Sequence, residues 1–189
     1  KLIEEQKLEA ARTALVELRT QAAASGKHTD WTRALIREVQ LSTALGGVET
    51  AVRNLRQAEW PKDEFSRLLL ELYYAGALLE YLNQYGFEID AREHVSAKAD
   101  AVPLDLKLWT REQIVHEALS ALARVWSQRE SLSGPANLLG PYAKLNNYPE
   151  GLRDTLRDVV SYHVVELLAN TGHWRPAHQN EVFRLDHAA

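Results

Sequence analysis

Two pairs of side chains in this sequence have the types and spacing that could hold metal. Glu112 and His116 lie four apart, and His163 and Glu166 lie three apart. On helices, each pair would share a face. Two facing helices that each supply a carboxylate and an imidazole can hold a pair of metal ions in the heart of a bundle. The details depart from that arrangement. Its usual form is Glu-x-x-His on one turn, whereas here one spacing is longer and the other pair runs in reverse order. Two more inward carboxylates would be needed, and the apolar segment before 86 offers only Glu71 and Glu80. The plainer expectation is that His163 donates to a backbone carbonyl and the glutamates reach water. No metal and no cofactor is therefore expected. Glu112, His116, His163 and Glu166 stand as the alternative, a helical metal- or small-ligand-binding site.

Other chemistries lack their residues. With no cysteine, disulfides, thiolate zinc sites and a cysteine nucleophile are absent together. There is no His-Glu-x-x-His, no Gly-x-Ser-x-Gly elbow and no glycine-rich phosphate loop followed by lysine. Carboxylates are numerous, but a general acid needs a displaced pKa that burial and neighbours must create. No catalytic residue is expected. Charge is balanced, 22 basic against 26 acidic residues, net −4. That gives no footprint for nucleic acid and no basic cluster for an anionic membrane surface. The longest apolar runs carry glutamates, so none is expected to insert in a membrane.

Recognition residues are easier to find than reactive ones. In "RDTLRD", Arg153 and Arg157 would share one helix face, with Asp154 to Arg157 as an attractive pair. The tryptophans Trp31, Trp60, Trp109, Trp126 and Trp174 fall mostly at helix ends or junctions. There an indole can bury its ring and pin a loop, or stand exposed as an anchor for a partner. Arg153, Arg157 and Trp174 form the candidate interaction surface.

The elements that must position these residues are helices. Leu8, Ala11, Leu15, Leu18 and Ala22 recur at three- and four-residue spacing over 4–24, and Gly26 stops that helix. Asp30 is read as the cap of a second, with Trp31, Leu35, Val39 and Ser42 along one side. A third carries Val48, Val52 and Leu55, with Glu49 and Arg53 as a surface pair. The fourth, about 63–85, is the most apolar and is expected to be the most buried. Its Ala75, Gly76 and Ala77 would admit a close neighbour. "TREQ" at 110–113 is a capping box for a fifth helix, reaching about 129. Ile114, Ala118, Leu122, Val125 and Trp126 are assigned to its inner side. Asp154 or Gly151 opens the last, in which Leu156, Val159, Val160, Leu167 and Leu168 seek the core. With 46% apolar residues and no convincing strand, the fold class is all-α. We expect an antiparallel bundle, or a short solenoid-like array of helical hairpins, about six helices in one domain over 1–189.

The stretch "NNYPEGLRDTLRDVVSYHVVELLAN", followed by "WRP" and "NEVFRLD", resembles a segment near the beginning of large bacterial alpha-2-macroglobulin-like proteins. The order of earlier pieces, "LLLELYYAGALLEYL" and then "DLKLWT", fits the same resemblance. It implies a helical region ahead of β-sandwich domains in a much longer chain. It also implies export to the cell envelope or periplasm and membership of a protease-inhibitor type of protein. The bait region and thioester of that family do not carry over to this piece. The expected role is therefore non-catalytic: a scaffold or interaction module. Its partners would be other domains of the parent chain or an envelope protein.

Overall fold

The computed structural model describes residues 8–91, 105–134, 142, 149 and 151–169; the side chains of Ser131, His163, Leu167 and Leu168 lie outside that description. Among the described residues there are six α-helices and no strand: α1 (Leu8–Ala24), α2 (His28–Ala44), α3 (Val48–Gln57), α4 (Glu64–Asp90), α5 (Arg111–Ser127) and α6 (Leu156–Ala169). Short 3-10 turns, Leu106–Leu108 and Arg129–Ser131, flank α5. The all-α expectation therefore holds.

Each helix packs on the next in sequence, and α2 also reaches α4. The turns between the first three are too short to do anything but reverse the chain. Gly26 closes the first turn with φ 65°, and Gly46 the second with φ 78°. A side chain with a Cβ is strained in that left-handed region. Cross-helix contacts fix the direction of the α4–α5 pair. Arg111 at the start of α5 grips Asp90 at the end of α4, while Arg124 near the end of α5 grips Glu71 early in α4. The two helices therefore run antiparallel.

α4 contributes the longest run of core residues, from Leu68 to Leu82, as its sequence foretold. Leu70, Ala75 and Leu78 are wholly enclosed. Burying one such leucine contributes about 1.5–3 kcal/mol. The helix continues to Asp90, past the predicted end, and there it emerges: Phe87 is 89% exposed. Gly76 does not mark a close approach, since a Cβ built there would meet nothing within 4 Å. The less expected result is α2. Its expected stripe of Trp31, Leu35, Val39 and Ser42 is buried, but so are Thr32, Ala34, Ile36, Glu38 and Leu41. It lies between α1 on one side and α3 and α4 on another. Sequence marks a helix as central only when every face is apolar, and Glu38 disguised this one.

The caps explain where helices begin. Thr110 Oγ1 accepts from Gln113 N–H and Gln113 Oε1 accepts from Thr110 N–H, the reciprocal box expected. Asp63 caps α4 through Ser66 N–H at 2.9 Å. Asp30 caps nothing; it sits in the first turn of α2, and Lys27 holds the cap position without a side-chain bond. For α6 the cap is Thr155. Asp158 N–H donates to Thr155 Oγ1, and Thr155 N–H donates to the Asp158 carboxylate, each at 3.1 Å. Neither Asp154 nor Gly151 opens the helix. Its first amides have an unusual second source of partners: Leu156 N–H donates to Gly134 O and Arg157 N–H to Leu132 O, both at 2.9 Å. A connector thus seats the helix start.

A candidate docking surface at the α5–α6 end

The four residues of the alternative metal site occupy ordinary helical positions. His116 and Glu166 are exposed, and Glu112 is half-buried in the first turn of α5. His163 is on α6 with its side chain outside the described set, so the four cannot be drawn together as a site. Among the described residues, no group of three or more histidines and carboxylates is placed to hold a metal ion. An open cleft of about 500 Å³ lies where the α1–α2 turn meets the start of α4, lined by Gly26, Lys27, His28, Thr29, Asp30 and Asp63. There His28 Nδ1 lies 3.5 Å from Asp63 Oδ2, an exposed imidazole beside a half-buried carboxylate.

Buried carboxylates elsewhere tie helices together. Glu71, on α4, accepts two hydrogen bonds from Arg124 at 2.7 and 2.8 Å. That bond raises the guanidinium's already high pKa further, with partial burial opposing. Glu117 lies 3.9 Å from the same guanidinium. Beside them, burial pushes the Tyr74 phenol well above its ordinary value of 10.0, and the Glu117 carboxylate adds to the shift. Glu38, on α2, accepts from Asn54 of α3 at 3.0 Å and lies 3.3 Å from Arg19 of α1. Gln40 and Tyr73 both donate to the carbonyl of Tyr142, at 3.2 and 2.8 Å, which anchors that connector residue between α2 and α4. These arrangements pair charged and backbone groups across helices, while the Tyr74 and Tyr142 hydroxyls are buried without a well-formed hydrogen bond.

The surface around the ends of α5 and α6 is different. Trp126 is 41% exposed, so it does not belong to the inner side of α5 to which its spacing assigned it. Position 126 falls beside the buried stripe of Ala118, Leu122 and Val125, at a point where the helix is ending. The Arg129 guanidinium lies 4.7 Å over its ring and donates to the Trp126 carbonyl. Arg129 also faces Glu130 at 3.6 Å, and Glu130 accepts from Arg157 of α6 at 2.9 Å. The expected Asp154–Arg157 pair is replaced by this contact across elements, while Asp154 accepts from Gly151 N–H.

Arg153 also differs from its expected place. It precedes α6, with φ 62°, so it shares no helix face with Arg157. A non-glycine residue in that conformation is strained by roughly 1–2 kcal/mol. The turn aims the guanidinium back over Tyr162, 4.2 Å from the ring centroid. Tyr162, Leu152 and Val165 are all substantially exposed. On α6 the buried residues Leu156, Val160 and Val164 form one stripe, and Tyr162 and Val165 face away from it. Trp174 lies outside the described residues. The arrangement presents two guanidiniums stacked on aromatic rings, with apolar side chains beside one of them. Trp, Tyr and Arg are the types that dominate binding energy at protein interfaces.

The sequence singled out Arg153 and Arg157 and named Trp126 among the five tryptophans, but it offered no reading of Arg129 or Tyr162. Their signal was weak because an aromatic at the edge of a helical stripe looks the same whether or not a neighbour covers it. The buried Glu38 and Glu71 left no local mark either, since each finds its partner on another helix. Comparison of the chain with protein families, with curated proteins and with solved structures found no match.

Proposed function

We propose that the chain is a non-catalytic helical module that docks other protein surfaces through the α5–α6 end. The observation that carries this reading is the paired stacking of Arg129 on Trp126 and Arg153 on Tyr162, both rings exposed. Stacking holds each long arginine in one geometry before a partner arrives, which lowers the entropy lost on binding. The partners proposed are other domains of a parent chain or an envelope protein. That part rests on the resemblance of 146–186 to the start of bacterial alpha-2-macroglobulin-like proteins, and it carries a proposed location in the cell envelope. No described helix is long and apolar enough to cross a membrane.

The test uses the downstream part of the parent chain as titrant against this module. Binding should weaken by about 2 kcal/mol for Trp126→Ala or Tyr162→Ala if these are anchors. Unchanged affinity in both variants would refute the surface. An open reading frame without β-sandwich domains downstream would refute the parentage. Stoichiometric metal in protein purified without chelator, lost on His163→Ala, would instead favour the ligand-binding alternative.

A further inference from the structure

We infer that α1 is a strap which opens from α2 as a unit while α2–α5 stay folded. The inference is independent of the docking reading and rests on how little of α1's own apolar surface is buried among the described residues. Of its 17 residues, only Ala11 and Ala22 are buried. Leu18, in the middle of its expected inner stripe, is 46% exposed, and Val16 is 39% exposed. α1 packs chiefly on α2. Thr13, Thr20 and Ser25 each donate to the carbonyl four residues back, a bond that weakens helices slightly. A helix of this length is marginal without tertiary packing, so lifting α1 also frees its backbone.

One polar contact acts as the latch. Arg19 lies 5.8 Å from the Trp31 ring centroid and 3.3 Å from Glu38 Oε2. Glu38 is only 5% exposed, and Asn54 holds its other oxygen. Without Arg19, that carboxylate keeps a neutral amide but no cationic partner among the described residues. Opening lets water reach it, so the charge that opposes lifting α1 is also one that solvent can take over. The hinge is the three-residue turn around Gly26, whose φ of 65° is open to glycine at no steric cost. An opened strap uncovers Trp31 and Glu38, an indole and a carboxylate that the closed form keeps inside.

Hydrogen exchange read by mass spectrometry on the whole chain tests this. Amides of α1 should exchange at least about tenfold faster than those of α2, with a weaker denaturant dependence. Arg19→Ala should speed α1 further and leave α3–α5 unchanged. Glu38→Gln keeps the Asn54 bond and removes the charge that Arg19 offsets. Adding Arg19→Ala to it should therefore have a smaller effect than in the native sequence. If Arg19→Ala fails to fold, the native comparison and Glu38→Gln decide the matter. Exchange of α1 in step with α2–α5 would overturn the strap. Additive effects of the two substitutions would overturn the latch.

Discussion

Replacing Trp109 and Trp126 separately distinguishes two uses of one residue type. Trp109 is wholly buried beneath Arg56, whose guanidinium lies 4.9 Å over the ring. Trp109→Ala should cost about 3–5 kcal/mol in a denaturant melt. Trp126→Ala should cost less, about 1 kcal/mol, because the side chain is already 41% exposed. A large loss at 126 would mean that the indole is structural. Tyr74 offers a test through pH. Its phenol pKa is raised by burial, so the folded state holds that proton more tightly than the unfolded chain does. Its contribution is complete below the ordinary value of 10.0 and is lost as pH rises toward the folded value. Tyr74→Phe should flatten the fall in stability above that point. At neutral pH it should change stability by no more than about 1 kcal/mol, since the hydroxyl lacks a well-formed hydrogen bond.

Single helices were legible where their signals are local. The Thr110 box and the all-round apolar character of α4 are each written within one element. The start of α6 is set by Thr155-x-x-Asp158 and not by Gly151 or Asp154, because the three stand close together and each is a plausible start by type alone. That cap can be tested. Thr155→Ala should cost about 1 kcal/mol and speed exchange in the first turn of α6. The Asp158 carboxyl is held below its usual range by its hydrogen bonds to Thr155. The stability it adds is therefore present above the ordinary carboxylate range and is lost as pH falls through the lowered value. An acid titration should show that loss in the native sequence and a smaller one in Thr155→Ala.

At the scale of the molecule, pairing between helices was less readable than the helices themselves. Apolar stripes show that helices meet, but they do not say which ones. The Glu71–Arg124 and Asp90–Arg111 bonds fix the α4–α5 pair, and no local pattern announces either of them. Arg124→Ala should cost roughly 1–3 kcal/mol, reduced from the value for a fully buried pair because Arg124 is 46% exposed. Thermal melts of Arg124→Ala and Arg124→Lys would check it; lysine cannot restore the two-pronged bond.

The bonds from the Leu132 and Gly134 carbonyls into the first turn of α6 also constrain the order of events in folding. Those carbonyls become acceptors in the right place only after α5 has formed and the turn beyond it has settled. Early folding of α6 in isolation would leave its opening amides to water and forgo the surface it packs against. Assembly of this protein should therefore run outward from the α4–α5 hairpin, with the last helix arriving late.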